Sequence, residues 1–251
     1  MSFDLSGRTA LVTGASRGIG RALAVGLATA GADVALSARD VASLEQVRAE
    51  VEALGRRAFV LPADVTDADA CRRLVDDAVA ALGQLDVLVN NAGGSTFFGP
   101  FLDLRFAGWE KTMRLNVDSV VHLSQAAGTH MVGRGSGSIV NVASVAGLTA
   151  TPMMAAYGAS KAAVISLTKT LAHEWGGSGV RVNALCPGWT KTDLNRGLWS
   201  GEEAGAGWVQ GQALKRWATV DEMVGPVVFL ASDASSYLTG QSLVVDGGQA
   251  A

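Results

Sequence analysis

Short, nearly continuous apolar runs recur along the chain, each followed by a stretch with the spacing of an amphipathic helix. The runs are Thr9–Thr13, Val34–Ser37, Ala58–Leu61, Val87–Asn90, Ser138–Val142, Val180–Leu185 and Ser242–Val245. Runs of this length without strict alternation fit strands buried on both faces of a parallel sheet. Helical patterns lie between them, for example Val41–Leu54, Ala68–Leu82 and Ala162–Trp175. Asp40 stands where it can cap the first of these, and Thr219-Val220-Asp221-Glu222 has the form of a capping box opening a late helix. Seven strands interleaved with helices predict an α/β fold, a Rossmann-like doubly wound sheet of about seven parallel strands flanked by helices. No Pro/Ser-rich linker and no repeat divides the chain, so residues 1–251 read as one domain. The least regular part is Pro187–Lys215, which holds Trp189, Trp199 and Trp208. A loop that long in a compact domain is usually functional, and 189–215 is read as a substrate-binding lid with its tryptophans as apolar cover.

Composition narrows the choices. With 251 residues, 49% of them hydrophobic, the chain can bury a substantial core. Its net charge of −3 and lack of a basic run argue against a nucleic-acid partner. Cys71 and Cys186 lie far apart, and His122, His130 and His173 show no ligand spacing, so neither a disulfide framework nor a metal site is expected. The N-terminus lacks a basic-then-apolar leader and no run of 18 apolar residues exists, so a membrane is not expected and a cytoplasmic location is. Glycine is the anomaly: 31 residues, or about 12%, against an average of about 7%. Five prolines and no period exclude collagen, so the positions of the glycines must explain them.

Several fall after the first strand, in Thr13-Gly14-Ala15-Ser16-Arg17-Gly18-Ile19-Gly20. Between a strand and a helix, such glycines permit a tight turn and close approach of a diphosphate to backbone N–H groups. The spacing is Gly-x-x-x-Gly-x-Gly, not the Gly-x-Gly-x-x-Gly of the common dinucleotide fingerprint. The second strand ends in Ser37-Ala38-Arg39, where an NAD site would usually present an acid to the ribose. Arg39 cannot accept a hydroxyl hydrogen bond but can clamp a 2′-phosphate, and Arg17 can approach the same group. NADP(H) is therefore preferred, with NAD(H) left open by Asp40.

Tyr157 and Lys161 stand at i,i+4, on one helix face. A free tyrosine titrates near ~10, and a neighbouring ammonium would lower that value. Ser144 lies at the end of the strand Ser138–Val142, within loop reach of Tyr157. Asn116 is an unusual polar residue in the helical stretch Met113–Val117. A hydroxyl donor and an acid at one carbonyl oxygen would stabilise the charge that builds there during hydride transfer.

Together with Asp64-Val65, Asn90-Asn91-Ala92-Gly93 and Pro187-Gly188, these motifs make the chain resemble the short-chain dehydrogenase/reductase family along essentially its whole length. The resemblance implies Tyr157 as general acid or base, Lys161 on the nicotinamide ribose, Ser144 on the substrate oxygen and Asn116 as anchor of a water leading to Lys161. It also implies that Gly14, Ser16, Arg17, Gly18, Ile19 and Gly20 line the phosphates and adenosine, with Asp64 and Val65 at the adenine. Asn91, Ala92 and Gly93 would follow the cofactor toward the nicotinamide, and Pro187, Gly188, Thr190 and Thr192 would border the nicotinamide and diphosphate. Ser95, Thr96, Phe97, Phe98, Thr149, Met153, Met154, Trp189 and Leu194 are candidate pocket residues, with Phe97, Met153 and Trp189 foremost beside Ser144 and Tyr157. Their apolar character favours reduction of a neutral ketone or 3-oxoacyl thioester. The alternatives are a polyol, sugar or secondary-alcohol dehydrogenase and a non-catalytic dinucleotide-binding protein. By resemblance the chain is a homotetramer or homodimer, joined through helices around 108–131 and 156–175 and the tail Val244–Ala251.

Overall fold

All seven apolar runs form strands of one parallel sheet, with ends within a residue or two of those predicted. The computed structural model describes residues 3–95 and 97–250, residues 202–204 by their backbone alone. In chain order the first half contains β1 (Thr9–Thr13), α1 (Gly18–Thr29), β2 (Asp33–Ser37), α2 (Val41–Ala53), β3 (Ala58–Val60), α3 (Ala68–Leu82) and β4 (Val87–Asn90). The second half contains α4 (Phe106–Met113), α5 (Ser119–Arg134), β5 (Gly137–Val142), α6 (Ala155–Trp175), β6 (Val180–Pro187), α7 (Arg196–Trp199), α8 (Glu202–Gly207), α9 (Val224–Ala231) and β7 (Ser242–Val245). A π-helical segment, Arg114–Asp118, joins α4 to α5.

The strand order is β3-β2-β1-β4-β5-β6-β7. The chain builds outward from β1 to β3, then crosses back so that β4 pairs with the other side of β1, Ala10 opposite Val87. In an open sheet of this kind, ligands bind beyond the carboxyl ends of the strands at that reversal. The period of two within strands sends alternate residues to opposite layers. Val12, Val34 and Leu36 join Leu23 and Leu27 of α1 in one core cluster. Leu11, Ala35, Leu88 and Ile139 join Val75 of α3 and Leu123 of α5 in the other. Every residue of β1 and β2 is buried, which is why these strands read as continuous apolar runs.

Two caps behave as expected. Asp40 accepts from the Ser43 N–H at the start of α2, and Thr219 and Glu222 form a capping box. That box opens a 3₁₀ turn, Val220–Met223, which leads into α9. Two expectations change. The helix predicted from Ala162 begins seven residues earlier, at Ala155, because its first two turns are small or polar and carry no apolar period. Packing supplies what periodicity lacks: a Cβ at Gly158 would stand 3.0 Å from the Ala146 carbonyl oxygen, so glycine lets the 145–147 turn lie on the helix. The segment after β6 is not an unstructured loop, since it contains α7 and α8. Among the described residues no helix is long and apolar enough to cross a membrane, and no group of His, Cys, Asp and Glu could hold a metal ion.

Candidate active site

The turn from β1 into α1 is locked to the end of β4. The Asn91 side-chain amide donates to the carbonyls of Thr13 and Gly14 at 2.9 and 3.2 Å. The Thr13 hydroxyl accepts from the backbone N–H groups of Asn91 and Ala92. This leaves no room for a side chain at Gly20, whose Cβ would fall 2.1 Å from the Gly14 oxygen. Gly14 and Gly18 adopt φ of +65° and +56°, in the left-handed region that favours glycine. Gly20 thus serves close packing, while Gly18 shapes the open edge of the turn. The side chain of Arg17, the residue before α1, makes no capping bond, and the first turn of α1 carries no acid. The helix end is therefore electropositive and suited to a phosphate.

Arg17 and Arg39 are exposed and, among the described residues, lie within ion-pair distance of no carboxylate. The nearby acids are engaged elsewhere. Hydrogen bonds from Ser43, with a smaller influence from Arg17, hold the Asp40 carboxyl below its ordinary range. Hydrogen bonds from Thr66, with a smaller influence from Arg39, do the same for Asp64. The Ser37 hydroxyl at the end of β2 is buried without a partner. Arg39 and the Ser37 hydroxyl, unpartnered among the described residues, at the end of β2, with Arg17 in the turn after β1, fit a nucleotide carrying a 2′-phosphate. Val65 is buried in the second core cluster, so only its backbone is available to an adenine.

The reactive side chains meet across the ends of β5 and α6. Tyr157 lies beside Ser144, close enough for that side chain to lower its phenol, and the Ser144 oxygen accepts from the Ala146 N–H at 3.1 Å. Lys161 is 5% exposed and donates from Nζ to the Val142 carbonyl at 2.7 Å. Its Nζ stands 5.6 Å from the centre of the Tyr157 ring. Burial dominates both titrations. It raises the Tyr157 phenol, partly offset by the Ser144 hydrogen bond. It lowers Lys161 to about 8. The net shift at Tyr157 is thus upward, opposite to the lowering expected from a neighbouring ammonium. Cys186 of β6, given no role at this site by the sequence, lies buried against this pair with its thiol raised to about 11 by burial.

Asn116 is fully buried within the π-helical segment. Its amide donates to Gly94 O and Ser160 Oγ, each at 2.9 Å, and its oxygen accepts from the Gly94 N–H. Ser160 in turn donates to the Tyr157 carbonyl. Asn116 therefore ties the loop after β4 to the catalytic helix. A Cβ at Gly93 would approach Asn116 Oδ1 at 3.0 Å and Lys161 Nζ at 3.3 Å, so glycine lets these two polar ends converge.

The candidate pocket residues divide. Phe98, on the loop after β4, meets Trp208 edge-on at 5.9 Å, and Trp208 meets Trp189 at 5.1 Å. Trp189 also packs on Trp217. Met153 joins this side, since its carbonyl accepts from the Gly99 N–H and its φ is +71°. Ser95 donates to the Phe97 carbonyl, and Leu194 reaches Gly94. Thr149 and Met154 instead line a groove of about 290 Å³ along α6, bounded by Leu148, Gly158 and Ala162. Thr96 lies outside the described residues.

Pro187, Gly188, Thr190 and Thr192 follow the end of β6. Gly188 packs against Asp246, where its Cβ would meet backbone at 2.7 Å. Thr192 lies over Gly18, within 3.7 Å of where a Cβ would stand. Sequence reasoning missed Asn195 and Trp217; Trp208, expected as apolar cover, meets Phe98 and Trp189. The only signal for Asn195 was its place three residues after Thr192, the spacing of a cap.

Comparison with known proteins finds relatives along nearly the whole chain. A family model described as enoyl-(acyl carrier protein) reductase matches residues 14–250. Gluconate 5-dehydrogenase of Gluconobacter oxydans is 44% identical over 250 residues, covering 98% of this chain and 96% of its own. The crystal structure of a gluconate 5-dehydrogenase from Burkholderia cenocepacia in complex with NADP and tartrate is 38% identical, with a TM-score of 0.94 and coverage of 98% and 96%. An NAD⁺-bound xylitol dehydrogenase is 34% identical, with a TM-score of 0.92 and coverage of 97% and 99%.

Proposed function

The chain belongs to the short-chain dehydrogenase/reductase family, and from that premise we propose that it interconverts a secondary alcohol and a carbonyl compound with NADP(H). The observation that carries the reading is the convergence of Ser144 and Tyr157 beside the buried Lys161 at the carboxyl end of β5. The cofactor, when bound, supplies or accepts the hydride. Tyr157 exchanges the proton with the substrate oxygen, and Ser144 donates a hydrogen bond to that oxygen as charge builds on it. Lys161, held by the Val142 carbonyl, keeps a positive charge near the phenol and opposes the effect of burial. Asn116 fixes Gly94 against α6 and offers its remaining lone pair to a water leading to Lys161. Arg17 and Arg39 hold the 2′-phosphate, and the turn Gly14–Gly20 with Thr192 holds the diphosphate.

The relatives favour a polyhydroxy alcohol or sugar acid, the class to which gluconate and xylitol belong. A second reading, a neutral ketone or 3-oxoacyl thioester, draws on the apolar Phe97, Met153 and Trp189. A panel of sugar acids, polyols and ketones, assayed with NADP(H) and NAD(H) side by side, separates them. Turnover of at least one class with NADP(H) preferred is expected; failure across the panel despite tight NADPH binding would leave a non-catalytic dinucleotide-binding protein. Residues 189–215 act as the cover over substrate, and protection of this segment from proteolysis by NADPH tests that. The protein works in the cytoplasm as a homotetramer or homodimer. Exposed Phe106, Val121 and Val244 supply apolar surface for assembly, and a monomeric mass at micromolar concentration would overturn it.

A further inference from the structure

The segment after β6 crosses the proposed cofactor cleft. Thr192 lies over Gly18 of the first turn, and Leu194 lies over Gly94 of the loop after β4, each 3.7 Å from where a Cβ would stand. One side chain organises the crossing. Asn195 Oδ1 accepts from the Thr192 N–H at 2.9 Å, the Thr192 hydroxyl at 3.0 Å and the Trp199 indole N–H at 2.9 Å. Its Nδ2 donates to the Thr190 carbonyl at 2.9 Å. Lys191 and Arg196 both lie over the Trp199 ring, at 5.5 and 5.9 Å, and steady it.

A carbonyl oxygen has two lone pairs, and here three donors converge on one. The backbone N–H and the indole N–H are fixed in direction. The indole N–H is shared with the Thr192 carbonyl at 3.1 Å, and the Thr192 hydroxyl is the donor whose O–H can rotate to another acceptor while the other two remain on Oδ1. We propose that Asn195 is a positioning residue for the cofactor: it holds the Thr192 hydroxyl while the Thr192 Cβ and methyl face Gly18, and it keeps the segment in place while that hydroxyl turns to a diphosphate oxygen. This rests on the dinucleotide reading of the Gly14–Gly20 turn. It adds a residue three positions from the phosphate contact that shapes affinity without touching the ligand.

The test is calorimetric titration of the full chain and of Asn195→Ala, Thr192→Val and the double variant with two probes. NADPH carries the diphosphate; adenosine 2′-monophosphate carries only the adenosine and 2′-phosphate end. Asn195→Ala is expected to weaken NADPH binding about tenfold, the scale of one hydrogen bond to a charged group. Binding of adenosine 2′-monophosphate stays unchanged. The double variant binds NADPH no more weakly than Thr192→Val alone, because both substitutions remove the same contact. Unchanged NADPH affinity in Asn195→Ala, or additive losses in the double variant, would overturn the proposal. Equal weakening of both probes would show a collapsed loop and overturn it too. If the unsubstituted chain binds neither probe, it is the dinucleotide reading itself that fails.

Discussion

The two walls of the cleft are held in different ways. On one wall, Ser144, Tyr157 and Lys161 sit where β5 meets α6, with β4 and β6 hydrogen-bonded on either side of β5. Their partners are mostly backbone groups, such as Val142 O and Ala146 N. On the other wall, residues 189–217 contain two short helices of four and six residues, held by isolated backbone bonds such as Lys191 N–H to Ala218 O and Leu214 N–H to Gly247 O and by side-chain contacts. The side-chain contacts include the Asn195 cluster, the Trp217 indole on Gly205 O and the Trp189–Trp208 ring pair. Proton transfer needs fixed distances, whereas a wall that admits and covers substrate needs alternatives close in energy. Under the proposed function the reactive groups accordingly stand on the sheet, and selection falls to the segment with fewer constraints.

Substitutions should separate the walls. The largest effect is expected at the locked turn. Gly20→Ala drives a methyl into the Gly14 carbonyl and should cost about 3 kcal/mol of stability, read by denaturant titration, together with NADPH affinity. Removing the Arg39 guanidinium by Arg39→Ala should weaken NADPH binding by about 2 kcal/mol and leave NADH nearly untouched. An equal loss for both cofactors would remove Arg39 from the 2′-phosphate. Acidity gives a third contrast. Lys161, lowered to about 8 by burial, loses its charge as pH rises through that value. Carbonyl reduction should therefore decline above about pH 8, when both the cation and the proton supply diminish, while NADPH binding at the arginines holds. A rate constant in that window would show that Lys161 charge does not matter. The smallest effect is expected in the cover. A Cβ at Gly197 in α7 meets nothing within 4 Å, so Gly197→Ala should raise the thermal midpoint slightly, by at most about 1 kcal/mol of stability. A marked loss of turnover there would instead make flexibility of this helix part of the cycle.

How well the sequence could be read follows the same division. β1 and β4 were legible because burial on both faces imposes an unbroken apolar run, and they carry the predicted bounds; the half-buried edge strand β7 carries them as well. Tyr157 and Lys161 were legible from their spacing, although the helix that holds them starts earlier than its apolar pattern. The direction of the Tyr157 shift was not legible, since it depends on how deeply the phenol is buried rather than on which residues are near. Order in the segment after β6 was hidden as well. It comes from contacts between residues distant in sequence, Phe98 with Trp208 and Trp189 with Trp217, and from a single asparagine whose partners are known only once the chain has turned. The glycine surplus shows both sides. Gly18 shapes the open edge of the turn, whereas Gly20 and Gly188, which the sequence also placed at the cofactor, are required by backbone packing.

Tyr157→Phe tests the proton site most directly, because it removes one oxygen and leaves the ring. Turnover should be measured with the best substrate of the panel and NADPH affinity determined in parallel. A fall in kcat of about a hundredfold or more, the scale of general acid catalysis, with NADPH binding within about twofold, is the expected result. A variant that turns over at nearly the unsubstituted rate would contradict Tyr157 as the group that exchanges the proton.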